Sequence, residues 1–431
     1  MRIKEQLIKN LNHYSAKKRL DSLKGLKKLE KTDPTLIPVK LINDANNHIH
    51  TTYSFSPYSP SKAAYMAYTA GLTTLGIMDH DSISGAKEFL KACKILGICP
   101  TVGFEMRVKM QIAGMGEVLI NNPDQKNCAY MAVHGVPHQN FLKVSEFIKP
   151  YREARAARNQ KMVEKINTVF SKYALSINYK RDVLPLSMSK EDGAVTERHL
   201  LFALSKKLIK KYGKGEKTVE FLTNELNIVL PEKLKERLEN KENIYYEYDL
   251  LGALKSDSAF FYIPADEELC DLDTLSAFSG KIGAILAYSY LGDIGVSVTG
   301  DKKANKFEDG YLDKLFETIS AANVKAVAYM PTRNSSEQLK RIQTLCSEYQ
   351  MMEISGEDIN SPRQKFECEK LKEEQFKGLI TSTYALIGHE YASSINIEDG
   401  FFSQKTIEKI PKLKKRIEVY AAIGRNLENI D

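Results

Sequence analysis

The chain has 431 residues, of which 43% are hydrophobic and 27% are charged, as is ordinary for a globular protein. Its 62 basic residues exceed its 55 acidic residues by seven, which mildly favours anionic ligands but is too small to favour nucleic acid as a partner. No apolar run is long enough to span a membrane, and the first nine residues lack the apolar core of a signal peptide. The six cysteines show no C-x-x-C spacing, which is typical of reduced thiols. We therefore expect a cytoplasmic protein with no membrane partner.

The first segment is rich in lysine and carries leucine and isoleucine at helical spacing, which predicts an N-terminal helical extension. Its basic face is typical of a solvated surface, and a partner surface is the alternative. Asp33 and Pro34 end the extension before the first predicted strand.

Three short apolar segments then end in side chains that commonly bind metals. The H-x-H of His48 and His50 places two imidazoles on one side of a strand end, because alternate residues of a strand point the same way. A second strand ends at Asp79 and His80, and a third ends at Glu105. Helical patterns separate these strands, as in a parallel β/α barrel, where the chemistry lies at the carboxyl ends of the strands. The pattern predicts a metal site there.

At this point the chain resembles the PHP (polymerase and histidinol phosphatase) family of metal-dependent phosphoesterases. The sequence AGLTTLGIMDHDSISGA, residues 70–86, is similar to the family's "aGl..iaiTDHdt..G", and the resemblance is strong over residues 43–108. It implies an α/β fold, a distorted seven-stranded TIM-like barrel. In that family a strand after the glutamate ends in a metal-binding histidine, and His134 stands at the corresponding place.

Residues 140–250 show helical periodicity and are similar to the helical insertion of many PHP proteins. Arg152 and Arg155 share a helix face that could grip phosphate, and a solvated basic stripe is the alternative. The segment TERHLLFAL is similar to the family's "R-P-H-I-A..L" and places His199 on its histidine. His199 could bind a substrate phosphate or orient the leaving group, and ordinary helix packing is the alternative.

The barrel pattern returns after residue 250. The segment KIGAILAYSY is similar to the family's "GGiaVLAHP", with Tyr288 in place of a metal-binding histidine. The polar loop SGEDINSPRQ follows a predicted strand and offers further site residues, and a surface loop is the alternative. A last strand is predicted from Leu379 to Tyr384. It precedes the place of the family's D-x-H, where His389 matches the histidine and Ile387 replaces the aspartate.

A third departure from the family is Phe55, which stands five residues after H-x-H where an Asp or His ligand is usual. By resemblance, His48, His50 and Glu105 would hold one ion, Glu105 and His134 a second, and His80 and His389 a third. Asp358, Tyr288 or water could fill the gaps. Catalytic roles are expected for Asp79, His199 and Arg363, metal ligation for His48, His50, His80, Glu105, His134, His389 and Asp358, and substrate binding for Arg152, Arg155, Tyr288 and Asn360.

The predicted organisation has four parts. They are an N-terminal helical extension (1–40), a first part of the barrel (41–139), a mainly helical insertion (140–250), and a second part of the barrel with a C-terminal helix (251–431).

We expect a metal-dependent phosphoesterase that hydrolyses a small phosphorylated metabolite or nucleotide with metal-activated water. Imidazoles and carboxylates together suit one to three ions of zinc, manganese or iron. The alternative is a degenerate PHP protein that binds metal, an anion or a partner without efficient turnover. A barrel hydrolase that cuts C–N bonds is a second alternative, and Ile387 speaks against it because that class generally needs a bridging carboxylated lysine or a late aspartate base.

Overall fold

A computed structural model describes residues 2–293 and 308–427, and its centre is one curled sheet. The strands are β1 (Asn46–Ile49), β2 (Thr74–His80), β3 (Cys99–Lys109), β4 (Cys128–His134), β5 (Cys270–Asp271), β6 (Ile285–Ser289), β7 (Ala326–Tyr329) and β8 (Met352–Ser355). Seven of them follow the order β1-β2-β3-β4-β6-β7-β8, and the short β5 pairs with β3. Within the described residues, neighbouring strands are parallel except where β4 runs antiparallel to β3 and β6.

The sheet closes by a bridge between its two outer strands. Ile49 of β1 forms an isolated parallel bridge with Ile359, which follows β8. The His50 N–H donates to the Ile359 carbonyl at 3.0 Å, and the Ile359 N–H donates to the His48 carbonyl at 3.1 Å. The expected TIM-like α/β barrel is confirmed, and it is nearly closed.

Helices cover the barrel and fill the segment between β4 and β5. They are α1 (Arg2–Asn10), α2 (Ala16–Thr32), α3 (Pro60–Thr69), α4 (Ala86–Leu96), α5 (Phe141–Phe170), α6 (Glu197–Tyr212), α7 (Glu216–Glu220), α8 (Glu232–Glu239), α9 (Tyr246–Lys255), α10 (Leu272–Ile282), α11 (Leu312–Ala321), α12 (Ser336–Glu348), α13 (Lys377–Ile395), α14 (Gln404–Lys409) and α15 (Leu413–Leu427). Among the residues described, none of these helices is long and apolar enough to cross a membrane.

The sequences of the strands are short apolar runs, because parallel strands of a barrel are buried on both faces. In β2 every residue from Thr74 to Asp79 is buried. Gly76 allows β1 to approach closely, since a Cβ atom there would lie 2.7 Å from the Asn47 Cα. This close approach brings the carboxyl ends of β1 and β2 together.

Two hydrophobic cores are present, one around the barrel and one among α5 to α9. Phe55 belongs to the second core although it lies in the loop after β1. Its ring contacts those of His199, Phe202 and Tyr248 at centroid distances of 5.0, 5.7 and 6.2 Å. The loop after β1 is thereby anchored to the helical segment.

The predicted last strand, Leu379 to Tyr384, is wrong, because these residues lie in α13. Most of α13 is buried, so its sequence is apolar on all sides and periodicity does not distinguish it from a buried strand. The last strand of the barrel is β8, and the loop with Asp358 follows it directly.

Candidate metal centre

Five side chains with metal-binding atoms converge at one end of the barrel. They are His48, His50, His80, Glu105 and Asp358. The first two come from β1 and the residue after it, His80 ends β2, and Asp358 follows β8. Glu105 lies opposite His80 in the β2–β3 register. Because β1, β2, β3 and β8 run parallel, these donors share the carboxyl edge of the barrel.

The distances between the donors are short. Nε2 of His50 lies 3.2 Å from Oδ1 of Asp358, and Nδ1 of His80 lies 2.9 Å from Oε2 of Glu105. Nε2 of His48 lies 3.8 Å from the other Glu105 oxygen. The His50 ring stacks on that of His80 with centroids 4.5 Å apart. The five side chains therefore form one compact cluster.

This donor set fits a divalent cation. Donor atoms lie within 4.8 Å of one another in two overlapping groups of three, His48–His50–Asp358 and His50–His80–Glu105. Burial lowers the pKa of His48 and of His80, which keeps these imidazoles neutral with a lone pair for a metal. Burial raises the pKa of the Glu105 carboxyl, and a cation would offset that cost. Mixed nitrogen and oxygen donors suit zinc, manganese or iron.

Asp79, expected to be catalytic, instead fixes the turn after H-x-H. Its Oδ1 accepts from the Thr51 N–H at 2.7 Å and from the Ser54 hydroxyl at 2.6 Å, and its Oδ2 accepts from the Thr51 hydroxyl at 2.6 Å. The Ser54 hydroxyl also lies 3.3 Å from Nδ1 of His50. Asp79 thus holds Ser54, and Ser54 holds the ring of His50 from the side opposite Asp358. Sequence reasoning missed Ser54, although a short polar side chain four residues after a histidine ligand is a usable signal.

A pocket of about 130 Å³ opens beside the cluster. Its lining includes four of the donors, His48, His80, Glu105 and Asp358. Its other walls combine six aromatic side chains, Phe55, Tyr130, Phe261, Tyr262, Tyr290 and Tyr329, with three basic ones, Arg155, Arg198 and Lys255. Such a pocket can hold a molecule that has both an anionic group and a flat apolar part.

Comparison with known proteins agrees with this geometry. Residues 46–226 match the model of the PHP domain, and this range begins with β1 and contains His48, His50, His80 and Glu105. The match covers less than half of the chain. The PHP-domain match and the donor cluster together support a metal-dependent hydrolase.

Three known proteins are similar to this chain in sequence or in fold. A 5'-3' exoribonuclease of Haemophilus influenzae is 26% identical over 162 residues, 36% of this chain, and the chain spans about half (55%) of that protein's length. A candidate metal-dependent phosphoesterase from Bifidobacterium adolescentis has the same fold, with a TM-score of 0.51 and 18% identity over 76% of this chain and 93% of the other. An amidohydrolase from Chromobacterium violaceum, with bound sulfate and no metal, has a TM-score of 0.49 and 13% identity over 75% and 89% of the two chains.

His134 lies away from the end of the barrel that carries the donor cluster. Because β4 is antiparallel, its carboxyl end lies beside the start of β6, where His134 pairs with Ile285. Its amino end instead places Tyr130 beside His80, with ring centroids 5.5 Å apart. Burial, and then His48, lower the pKa of His134 to about 3. The expectation that this strand ends among the ligands is wrong, because it assumed that all strands run in one direction.

His389 is also misplaced by the sequence pattern, because it lies on α13 rather than after a strand. The Phe401 N–H donates to its Nδ1 at 3.0 Å, and its Nε2 lies 3.1 Å from the Gly135 carbonyl. Both ring nitrogens are therefore engaged by the backbone at the far end of β4. Ile387 is buried on the same helix. The expected third ion between His80 and His389 finds no support.

Tyr288 does not contact the cluster. Its hydroxyl lies 3.1 Å from Oε1 of Glu308, on the side of β6 opposite the donors. The next residue, Ser289, donates to Glu105 at 3.4 Å and lines the pocket. The predicted site residue Tyr288 is therefore off by one position, because side chains alternate along a strand and it is Ser289 that faces the pocket.

The arginines of α5 are neither free nor solvated. Arg155 is buried and pairs with Asp81 and with Glu197, the latter at 2.7 Å, yet it still lines the pocket. Arg152 donates to Asp192 at 2.7 Å and does not line the pocket. Of the two, Arg155 is the one that a ligand in the pocket could contact.

His199 lies in the first turn of α6 and helps to cap that helix. The Thr196 N–H donates to its Nδ1 at 3.0 Å, and its ring lies edge-on to Phe55. Burial, and then Arg155, lower its pKa to about 3. The packing alternative describes His199 better than a catalytic role, since Thr196 engages its Nδ1 and His199 does not line the pocket.

Some residues of the loop after β8 lie at the pocket, and others contact the helical segment. Asn360 lines the pocket and donates to Oδ1 of Asp358 at 2.6 Å. Arg363 pairs in a fork with Asp249 of α9, at 2.7 and 2.6 Å, and does not line this pocket. Instead of the predicted catalytic role, Arg363 connects the loop to the helical segment. Asp358, Ile359 and Asn360 follow β8, the last strand of the barrel, and Asp358 belongs to the donor cluster.

Proposed function

We propose that this protein hydrolyses a phosphoester of a nucleotide or a similar small phosphorylated compound, with a divalent metal ion in the cluster. The observation that carries the proposal is the convergence of His48, His50, His80, Glu105 and Asp358 beside one pocket. The alternative classes, C–N hydrolysis included, have no dedicated residue of their own in this cluster.

Each protein group has a defined task in this proposal. His48, His80, Glu105 and Asp358 would hold the metal together with Nε2 of His50, which belongs to both donor groups. A bound divalent ion lowers the pKa of its water and polarises a phosphoryl oxygen. Ser54 fixes the ring of His50, and Asp79 fixes Ser54.

The walls of the pocket bind the substrate and exclude water. Arg155 offers a buried positive group for a phosphate oxygen, although Asp81 and Glu197 already share its charge. Tyr130, Tyr262 and Tyr329 offer flat surfaces against which a base can stack. These aromatic walls favour a nucleotide over a sugar phosphate. The exoribonuclease of H. influenzae supports the same choice.

The proposal is tested with purified protein, added zinc, manganese or iron, and a panel of phosphorylated compounds. The panel contains mononucleotides, short oligonucleotides and sugar phosphates. We expect hydrolysis of the nucleotides, and its loss in His50→Ala and in Glu105→Gln together with loss of bound metal. His13→Ala, outside the cluster, is the matched control and should keep full activity. Full turnover by Glu105→Gln would contradict the assignment.

Binding without efficient turnover is the second candidate, and a specific observation favours it. Phe55 stands in the pocket where the family pattern has an Asp or His after H-x-H, and Asn360 lines the same pocket beside Asp358. Neither an apolar ring nor an amide replaces an imidazole or carboxylate as a strong metal donor. Calorimetric binding of metal and of a mononucleotide, with no hydrolysis of any compound in the panel, would establish this candidate instead.

A further inference from the structure

The net charge of this protein is concentrated in its first two helices. Residues 1–32 contain ten Lys or Arg and three Asp or Glu, a net charge of +7. The whole chain also has a net charge of +7, so everything after residue 32 is neutral in sum. A charge confined to one small part of the surface gives a local field far stronger than the net value suggests.

Four lysines of α2 form an exposed row. Lys17, Lys24, Lys28 and Lys31 are all exposed, and at 3.6 residues per turn they fall within about 60° of the helix circumference. The row is about 21 Å long at 1.5 Å per residue. We call these four residues the lysine row. Lys24 of this row lies 3.7 Å from Asp21, and such an exposed pair is weak.

Two other basic residues of α2 contact the rest of the fold, and Lys18 is exposed about 100° around the helix from Lys17. Arg19 is buried and pairs with Glu88 of α4, and its Nη1 donates to the His13 carbonyl at 2.6 Å. Lys27 lies 2.5 Å from Glu30 and 2.8 Å from the Tyr68 hydroxyl. These contacts fix the buried face of α2 and leave the lysine row toward solvent.

The same contacts set the direction of the row. Arg19 meets the first turn of α4, which begins at the carboxyl end of β2, where His80 lies. Lys27 meets Tyr68 near the end of α3, and α3 ends before β2 begins. The row therefore starts at the end of the barrel that carries the metal donors, with Lys17 nearest to it, and runs toward the opposite end.

The turn before α2 also contacts the loop that follows His50. The Asn12 side chain donates to the Pro57 carbonyl at 2.8 Å and accepts from the Ser59 N–H at 2.9 Å. This loop contains Ser54, which holds the ring of His50. The start of the lysine row and the metal centre are thus linked through one short loop.

We propose that the lysine row binds the phosphate backbone of single-stranded RNA whose end reaches the metal centre, a role that rests on the proposed phosphoesterase activity. Point charges spaced along a row bind a backbone without reading its bases. A lipid surface is a poorer match, because an interfacial helix needs an apolar face for the membrane, whereas Leu23 and Leu26 of α2 are buried in the barrel core.

The test is binding of a labelled 20-nucleotide oligouridine to the full chain, measured by fluorescence anisotropy at several salt concentrations with a chelator present to prevent turnover. The variant Lys24→Gln with Lys28→Gln should weaken binding on the order of tenfold at low salt and reduce the slope of log affinity against log salt by about 1.4. Lys412→Gln with Lys414→Gln removes the same charge from another exposed site and should change neither quantity.

Activity on a mononucleotide separates the row from the metal centre. The Lys24→Gln and Lys28→Gln variant should hydrolyse a mononucleotide at the wild-type rate, while its rate on the oligonucleotide falls with its affinity. Equal weakening by the Lys412→Gln and Lys414→Gln control would overturn the proposal. So would RNA binding that is absent while phosphatidylserine vesicles bind through Lys24 and Lys28. RNA binding through the row without hydrolysis of any substrate would contradict the phosphoesterase activity and leave the row intact.

Discussion

Nε2 of His50 lies 3.2 Å from Oδ1 of Asp358, so the first and last strands of the barrel meet at two metal donors. The contact depends on closure of the barrel, because the bridge between Ile49 and Ile359 lies immediately beside both residues. A histidine near one end of the chain and a carboxylate near the other are thus held in one site. The donor cluster therefore depends on closure of the barrel.

Removal of the Asp358 carboxylate should empty the first donor group. We expect Asp358→Ala to lower metal affinity by at least tenfold and to reduce hydrolysis in proportion, because His48 and His50 lose their oxygen partner. Calorimetric titration with zinc and with manganese measures the change. Glu357→Gln, a neighbouring charge that contacts Thr332 and lies outside the pocket, is the control. An equal loss in both variants would point to the fold of the loop instead of the donor.

Replacement of Asn360 by histidine should strengthen the site. Asn360 already lies at the pocket and touches Asp358, so an imidazole there would add a nitrogen donor beside the Asp358 carboxylate. Metal affinity should rise in Asn360→His and remain unchanged or fall in Asn360→Ala, as measured by competition with a chromophoric chelator.

The same reasoning predicts a different fate for Ile387→Asp. Ile387 is buried on α13, so a carboxylate there would be charged without a partner and should cost roughly 3–5 kcal/mol of unfolding free energy. Denaturant titration gives this value. A gain in metal affinity by Ile387→Asp, with the fold intact, would instead support residue 387 as the D-x-H position that the sequence pattern first indicated.

Loss of the Ser54 hydroxyl should weaken the centre without touching any ligand. In Ser54→Ala the ring of His50 loses its contact at Nδ1, and Asp79 loses one of its hydrogen-bond donors. Loss of such an orienting partner typically lowers metal affinity about 10–100-fold. Ser54→Thr keeps the hydroxyl and should retain most of the affinity, which separates orientation from packing. Unchanged metal binding in Ser54→Ala would show that the hydroxyl does not position His50.

How far the sequence predicts this molecule depends on how local each signal is. H-x-H, M-D-H-D and the strand with Glu105 lie in consecutive β-α units, so their strand ends could be aligned from the sequence alone. The prediction for His134 was wrong because the direction of β4 in the sheet is a tertiary property. The prediction for His389 was wrong because a buried helix and a buried strand have the same apolar composition.

The roles of polar residues were harder to predict than their positions. Asp79 and His199 both lie close to the expected site, yet Asp79 accepts three hydrogen bonds within a turn and His199 caps a helix. Which partner a buried polar side chain finds is decided by the packed structure. Tyr130 and Ser289 reach the pocket through the antiparallel pairing around β4, for which the sequence has no local signal.

Asp44 should make stability depend on pH at the other end of β1. Burial raises the pKa of this carboxyl from 3.8 to about 6, although the N–H groups of Cys368 and Ala45 donate to it. The folded chain then binds a proton more readily than the unfolded chain does between about pH 4 and pH 6. Stability from this group therefore rises as the pH falls through 6, by about 1.4 kcal/mol for each unit of pKa difference.

The difference between the wild type and Asp44→Asn isolates this contribution. The unfolding free energy of the wild type should rise relative to that of the variant between pH 7 and pH 5, as measured in urea at each pH. A difference that stays constant over this range would contradict the raised pKa.

The central claim is that one metal centre lies at the carboxyl ends of β1, β2, β3 and β8. Crystals of the protein grown with zinc or manganese, with diffraction data collected at the absorption edge of the metal, test it directly through the anomalous difference map. The account predicts a peak within bonding distance of Nε2 of His50 and of carboxylate oxygens of Asp358 or Glu105. A peak at His134 or His389, with none among the five donors, would contradict it.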